Sequence, residues 1–251
     1  MGWLGKVIGG TIGFALGGPL GAIAGAVFGH SFDGQMVPTP GAGRPRLSKN
    51  EQTQMVFFVA VFSMLAKMAK ADGRICENEY ETVEKFIKNE LHLNSESRKI
   101  ALTIFKAAAD SQENFESFAY QFYEHFHSQP GFLDFILDVL IRVSASDGTL
   151  SDEEEHLLLS AVHIFNYPTE AYLALKAKYI DKGIDYHAIL GCTRQDTDAF
   201  VKKQYRKLVS EYHPDKIASK GLPDEFVTFA SNKFREIQEA YEKVKHERGY
   251  I

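Results

Sequence analysis

The residues best suited to chemistry are four consecutive residues near the carboxyl end: His213, Pro214, Asp215 and Lys216. A histidine and an aspartate this close together could move a proton, as a catalytic dyad does. No nucleophile in a recognised motif accompanies them, so the sequence predicts neither an enzyme nor a catalytic residue. Pro214 lacks an amide hydrogen and pushes His213 out of helical geometry, so a preceding helix must end at this point.

Two helices flank this motif, and each carries one apolar stripe. Apolar side chains recur at helical spacing from Val201 to Tyr212 and again from Ala230 to Val244. We expect an antiparallel helix pair that holds the motif on a stiff loop. A net charge of only +2 over residues 182–251 argues against binding to nucleic acid. The first helix nevertheless has a positive face that would attract an acidic partner, formed by Lys202, Lys203, Arg206 and Lys207.

The ordered set of residues around the motif resembles the DnaJ family over about residues 185 to 249. The similarity includes Tyr205-Arg206-Lys207-Leu208 before the motif and a second group after it: Lys233, Phe234, Ile237, Ala240, Tyr241 and Val244. The resemblance implies a J domain that triggers ATP hydrolysis in a DnaK-type chaperone. It further implies that the positive face docks this partner, and that His213, Pro214 and Asp215 couple docking to hydrolysis.

The same resemblance assigns the other parts of the domain. It implies that Tyr186, Leu190 and Gly191 form a short first helix and its stop, and that Ile217 to Glu225 form the loop before the long last helix. The chain has two cysteines, so it has no Cys-x-x-Cys zinc module. No Gly/Phe-rich linker follows the domain. We therefore expect no cofactor and no broad client binding through those modules.

The amino-terminal segment, residues 1–32, is rich in glycine. Val7 to Gly29 comprises 23 residues without a charged side chain, which is enough to span a membrane. Glycine at every fourth position allows two helix backbones to approach closely in lipid. The glycines with this spacing are Gly5, Gly9, Gly13, Gly17, Gly21, Gly25 and Gly29. We expect a transmembrane helix that forms a homodimer, or a hairpin bent at Gly18-Pro19.

The charges on either side of this span predict its orientation. Lys6 precedes the span, whereas Arg44, Arg46 and Lys49 follow it, so the positive-inside rule places the bulk of the chain in the cytoplasm. A cleaved signal peptide ending near Ala22-Ile23-Ala24 is one competing interpretation, and a peripheral Gly-rich segment is another. Export would separate a J domain from ATP and its chaperone, and two cysteines in 251 residues suit a reducing compartment. We expect a retained single-pass anchor in the inner membrane.

The middle of the chain divides into a linker and an acidic domain. Residues 33–49 contain three prolines and three glycines, which is typical of a linker. Residues 50–181 carry a net charge of −10 and have apolar residues at helical spacing. Within them, Met55 to Ala66 is a run of twelve uncharged residues, too short to cross a bilayer. This run predicts a buried central helix.

The acidic domain contains an internal repeat. Ala71 to Glu79 aligns with Ser146 to Glu154 at an offset of 75 residues. Each copy has the form Asp-Gly-x-[Ile/Leu]-x-x-x-Glu and stands between two apolar helices. The repeat resembles the TerB fold associated with tellurite resistance, which implies two similar helical hairpins.

Two interpretations of the repeat remain open. In the structural one, Gly73 and Gly148 end helices with a positive φ, while Ser151 and Glu154 form a capping box. In the functional one, four carboxylates bind a hard divalent cation: Asp72, Glu79, Asp147 and Glu154. Acidic residues also stabilise helix starts through the helix dipole, so we expect the structural role and assign no metal site.

The order of these segments resembles the DjlA-like, membrane-anchored DnaJ-family co-chaperones of Gram-negative bacteria. The predicted fold class is all-α, with a Gly-zipper transmembrane helix, a TerB-like helical domain and a carboxyl-terminal J-domain hairpin at residues 182–251. The predicted function is to dock a DnaK-type chaperone at the membrane and stimulate its ATP hydrolysis, in envelope stress or regulation. The alternative is a metal-responsive membrane scaffold in which the J domain is secondary.

Overall fold

A computed structural model describes residues 17–29, 47–73, 77–180, 185–219 and 221–249. Within these ranges the chain forms helices and turns without a strand, which confirms the all-α class. The helices before residue 181 are α1 (Gly18–Gly29), α2 (Lys49–Met68), α3 (Glu77–Asn89), α4 (Ser95–Asp110), α5 (Phe115–Phe126), α6 (Pro130–Ser144), α7 (Asp152–Ile164) and α8 (Thr169–Ile180). Those after it are α9 (Tyr186–Ile189), α10 (Asp198–Tyr212), α11 (Pro214–Ser219) and α12 (Asp224–Glu247).

Helix α2 lies at the centre of the fold. Its start is fixed by a capping box, in which Ser48 Oγ accepts a hydrogen bond from the Glu51 amide and the Glu51 carboxylate accepts one from the Ser48 amide. Every residue from Met55 to Ala66 is buried, so the predicted central helix is confirmed. A helix that is apolar on all sides must be covered on all sides, and α1, α4, α5 and α6 all pack against it.

The first copy of the internal repeat lies between α2 and α3, and the second lies between α6 and α7. Gly73 and Gly148 both have a positive φ, at 100° and 90°, as the structural interpretation predicted. Gly148 ends a short 3-10 turn after α6, and Ser151 with Glu154 forms the predicted capping box at the start of α7. Cys76, at the matching position in the first copy, lies outside the described residues.

The carboxyl-terminal hairpin is the antiparallel pair that the apolar stripes predicted. The rings of Tyr205 in α10 and Tyr241 in α12 stack with centroids 3.8 Å apart. Arg248, which directly follows α12, reaches the Asp198 carboxylate at the start of α10, with 3.1 Å between Nη1 and Oδ1. The short first helix is also present as α9, which ends before Leu190.

The segment from Ile217 to Glu225 is not the continuous loop that the resemblance implied. Helix α11 begins at Pro214 and α12 begins at Asp224, so both helices extend into it. The fixed φ of Pro214 suits the first turn of a helix, and the His213 carbonyl oxygen accepts hydrogen bonds from the amides of residues 216 and 217. A new helix therefore starts directly after α10 ends, and it contains Asp215, which we had expected on a loop.

The start of α12 inserts into the acidic domain of residues 50–181, which is the middle domain of the chain. The Phe226 ring contacts four phenylalanine rings of that domain, with centroids 5.2 to 6.3 Å away: Phe57, Phe58, Phe62 and Phe135. Phe229 contacts Phe86 and Phe135 at 6.1 and 4.9 Å. Both inserted rings are buried, so the two domains share one hydrophobic core.

The chain just before α12 also approaches α2 closely. Gln54 Nε2 donates a hydrogen bond of 3.3 Å to the Leu222 carbonyl oxygen. Gly221 has a φ of 94°, and a Cβ atom at this position would lie 2.7 Å from Oδ1 of Asn50. The positive φ favours glycine here, and any larger residue would also force the Asn50 side chain to move.

A buried carboxylate forms the polar part of the domain contact. Asp138 in α6 is fully buried, with Lys233 Nζ 2.9 Å from its Oδ2 and Lys178 Nζ 3.6 Å from its Oδ1. Tyr179 donates a hydrogen bond of 2.7 Å to Oδ1. Burial alone would raise the pKa of Asp138, but the two lysines and the tyrosine outweigh it and hold this pKa well below its usual range. The cluster joins α6, α8 and α12.

Replacing Phe226 with alanine tests the shared core. Phe226→Ala should lower the free energy of unfolding of the full chain by about 3–5 kcal/mol, because it leaves a cavity among four aromatic rings. Urea denaturation in detergent micelles measures this loss. Phe200→Ala is the matched control, since Phe200 is 39% exposed, and it should cost about 0.5 kcal/mol. A loss of unfolding free energy in Phe226→Ala no larger than about 0.5 kcal/mol, the value expected for Phe200→Ala, would show that the Phe226 contact contributes little.

Lys233→Met tests the buried ion pair. The pKa of Asp138 is lower in the folded chain than in the unfolded chain. Its ion pair therefore stabilises the fold at pH values above the unfolded-state pKa, and this stabilisation is lost as the pH falls through the folded-state pKa. Removing Lys233 raises the folded-state pKa, so acid unfolding should begin at higher pH, with a loss of about 3 kcal/mol at neutral pH. Urea denaturation across a pH series measures both effects. Lys243→Met, on the exposed side of α12, should reproduce the parent curve, and an unshifted acid transition in Lys233→Met would contradict the prediction.

Candidate functional site

The outer side of α10 carries the predicted positive face. Thr197 begins the helix by accepting a hydrogen bond of 3.3 Å from the Phe200 amide to its Oγ1. Val201 and Tyr212 are buried toward α12. The four cationic side chains all lie on the solvent-exposed side of the helix: Lys202, Lys203, Arg206 and Lys207. The structure therefore brings the four positive charges together on one exposed surface.

The His-Pro-Asp motif forms an exposed corner between two helices. The His213 side chain is 47% exposed and follows the last residue of α10, and Asp215, in the first turn of α11, is 93% exposed. The His213 and Phe234 rings form a T-shaped contact, with centroids 5.6 Å apart and an interplanar angle of 78°. Nδ1 of His213 lies 3.9 Å from Oδ2 of Asp215, which is too long for a hydrogen bond. The corner therefore exposes two polar groups that do not form a hydrogen-bonded dyad.

Contacts on both sides hold this corner in place. Lys216 Nζ donates a hydrogen bond of 2.7 Å to Ser210 Oγ, which ties α11 back to α10. Ile217 is buried in the core. At the far end of the hairpin, Arg248 donates hydrogen bonds to the carbonyl oxygens of Thr193 and Asp196. The corner therefore stands on a hairpin that is closed at both ends.

The thiol of Cys192 shows the properties of a structural cysteine. It is buried and donates to the His187 carbonyl oxygen at 3.3 Å. Burial raises the pKa of Cys192 to about 11, so the thiol stays protonated at neutral pH. A protonated, buried thiol is a poor nucleophile.

The glycine series predicted for helix association is only partly described. Gly5, Gly9 and Gly13 lie outside the described residues, whereas Gly17 precedes α1 and three more lie within it: Gly21, Gly25 and Gly29. Among the helices that the structure describes, none is both long and apolar enough to cross a bilayer. Helix α1 instead packs against α2, α4 and α5.

The four carboxylates considered for a metal do not converge. Asp147 Oδ1 accepts hydrogen bonds from the amide and the hydroxyl of Thr149, which lower the pKa of Asp147 and form a local turn. Glu154 belongs to the capping box of α7. Asp72 and Glu79 are the other two carboxylates considered as metal ligands, and both lie within the described residues. Across the described ranges, no three histidine, cysteine, aspartate or glutamate side chains gather closely enough to hold a metal ion.

Sequence reasoning missed the residues that join the two domains: Asp138, Phe226, Phe229 and Lys233. Asp138 did leave a signal, because it is the one charged residue between Phe135 and Ile141. A lone charge inside an apolar helix indicates a buried ion pair. Phe226 and Phe229 left no comparable signal, because an aromatic residue at a helix start can pack within its own domain.

Comparison with known families divides the chain into three successive segments. Residues 1–47 match the co-chaperone DjlA transmembrane domain. Residues 58–177 match the tellurite resistance protein TerB, and residues 185–248 match the DnaJ domain. These matches support a membrane-anchored protein that carries a J domain. No solved structure matches the chain.

Individual relatives align with this chain over most of their length. The chain is 30% identical to co-chaperone protein DjlA of Coxiella burnetii over 274 aligned positions, which cover 100% of both proteins. It is 30% identical to the protein of that name in Shewanella oneidensis, with 88% of each chain covered. For the Escherichia coli protein the identity is 25%, over 81% of this chain and 83% of the relative. With these relatives and a J domain in place, the chain belongs to the DjlA family of DnaJ-type co-chaperones.

Proposed function

We propose that this protein docks a DnaK-type chaperone through its J domain and stimulates the ATP hydrolysis of that chaperone. The supporting observation is one continuous exposed surface. The positive side of α10 leads directly into the His213 corner, and neither surface is covered by the middle domain. A partner seated on α10 thereby meets His213 and Asp215 at the end of the helix.

The charge distribution favours one docking site. Residues 50–181 carry a net charge of −10, whereas α10 presents four cationic side chains. An acidic partner is repelled by the first surface and attracted by the second, so long-range electrostatics orient the encounter before contact. This orientation should weaken as salt screens the charges.

The trigger role of His213 rests on its position outside the core. Its ring is half exposed and touches Phe234 on one side, so the partner can bind the remaining polar surface. Pro214 restricts the backbone at the corner, which limits the conformational entropy lost on binding. The histidine is therefore held ready for a partner rather than used to stabilise the fold.

The anchoring part of the proposal concerns location and assembly. We place the protein in the inner membrane as a single-pass protein with its bulk in the cytoplasm, on the basis of the charges that flank residues 7–29. There the four-residue glycine period supports a homodimer through close helix contact. The middle domain adds a fixed platform for the J domain, because Phe226 and Lys233 are held in it.

His213→Gln tests the trigger. The full chain carrying this change should lose stimulation of the chaperone's ATPase in a single-turnover assay, while its free energy of unfolding changes by about 0.5 kcal/mol or less. His163→Gln, an exposed histidine in α7, is the matched control and should stimulate normally. A His213→Gln chain that still stimulates would rule out the trigger assignment.

Charge reversal on α10 tests the docking face. Lys203→Glu with Arg206→Glu should weaken association with the chaperone by about tenfold or more at low salt, and should flatten its salt dependence, because the steering charge is lost. Surface plasmon resonance over a salt series measures both effects. Lys99→Glu with Lys106→Glu makes the same charge change on the exposed side of α4. If both double variants bind alike, docking does not use α10.

A further inference from the structure

Helix α1 is packed as a structural element of the middle domain. Its residues Leu20, Ile23, Ala24 and Phe28 are almost fully buried, at 0 to 5% exposure. They enter a groove formed by α2, α4 and α5. The buried positions follow helical spacing, so one face of α1 supplies the contact.

The start of α1 is also held by a specific polar contact. The Gln121 side chain, from α5, accepts a hydrogen bond of 2.8 Å from the Leu20 amide and donates one of 2.6 Å to the Gly17 carbonyl oxygen. Gln121 is itself 8% exposed. One buried amide thus satisfies a free backbone donor at the helix start and fixes the chain that enters the helix.

The exposed side of α1, opposite the side that packs in the groove, is suited to contact with lipid. The exposed positions Gly18, Ala22 and Ala26 are small and uncharged, and no residue from Gly18 to Gly29 carries a charge. In a bilayer the buried side chains would lose no apolar environment, because lipid tails are as apolar as a protein core. The helix can therefore lie in either medium.

Chain length makes the two locations exclusive. The charge-free run extends from Val7 to Gly29, and α1 occupies its second half. With α1 in the groove, the 11 residues from Val7 to Gly17 remain, and as a helix they would extend about 16 Å. The hydrocarbon core of a bilayer is about 30 Å thick, so this remainder cannot cross it.

We infer that the groove of α2, α4 and α5 is a docking site for the protein's own anchor helix, which is held there before membrane insertion and leaves the groove when the segment spans the bilayer. The inference rests on the anchoring part of the proposed function. While α1 is docked, the groove shields its apolar side chains from water. Docked and inserted chains are then two alternative states of one protein.

A cross-link between α1 and α5 distinguishes these states. Gly17 and Tyr120 line the same surface depression, and both are exposed. Gly17→Cys with Tyr120→Cys, in a Cys76→Ser, Cys192→Ser background, leaves Gln121 in place and allows capture by a short bismaleimide. The full chain is synthesised without membranes and then mixed with vesicles of phosphatidylethanolamine and phosphatidylglycerol. Alkaline extraction separates inserted from non-inserted chains.

Efficient cross-linking is expected before vesicles are added, with loss of the cross-link from the chains that resist extraction. Chains cross-linked first should remain extractable. Extraction-resistant chains that carry the cross-link would overturn the inference, because α1 would then stay docked at the membrane. If no chain becomes resistant, anchoring itself fails and the inference fails with it, whereas the chaperone assays are unaffected.

A second variant tests the contact without cysteine. Gln121→Leu removes both hydrogen bonds to the start of α1 and should increase the fraction of chains inserted at a given time. Gln112→Leu makes the same chemical change at an exposed position between α4 and α5, and should insert like the parent chain. Equal insertion by both variants would show that the docked state does not hold the helix back.

Discussion

The need to cover helix α2 on every side determines the architecture. An apolar helix with one exposed face would leave a strip of its side chains in water, at a cost of about 25 cal/mol for each Å². Helices α4, α5 and α6 of the TerB-like domain cover part of the surface of α2. Helix α1, while docked, covers another part from the amino-terminal side, and Phe226 of the J domain covers a third. Three segments that match separate families thus complete one core.

This shared core changes the meaning of the domain order. Three successive matches could describe independent modules joined by linkers, in which a J domain moves freely to reach its partner. Here Phe226 and Phe229 are buried among rings of the middle domain, and Lys233 pairs with a fully buried carboxylate. Separating the domains would expose the two rings and leave Asp138 with one fewer cation. The α10 surface therefore has a fixed direction relative to the TerB-like helices.

Local rules predicted what short stretches of chain determine. Apolar spacing identified the α10–α12 pair and the buried α2, and the Asp-Gly repeat identified two turns with a positive φ. The exposed corner at His213 likewise follows from Pro214. Contacts between distant segments could not be predicted from the sequence, because a phenylalanine at a helix start does not specify which core it enters. For the same reason, glycine spacing indicated a helix compatible with lipid but not the groove that holds α1 in the described structure. Helix α11 was missed because Pro214 both ends one helix and begins the next.

The burial of Asp138 limits how this J domain can be exchanged between co-chaperones. A J domain grafted from another protein would have to place a lysine and two aromatic rings where Lys233, Phe226 and Phe229 lie. Without them, the recipient would carry an inadequately neutralised carboxylate beside a hole in its hydrophobic interior. The interchangeable unit is therefore the TerB-like domain and the J domain together. A substitution on one side of their boundary would need a compensating substitution on the other side.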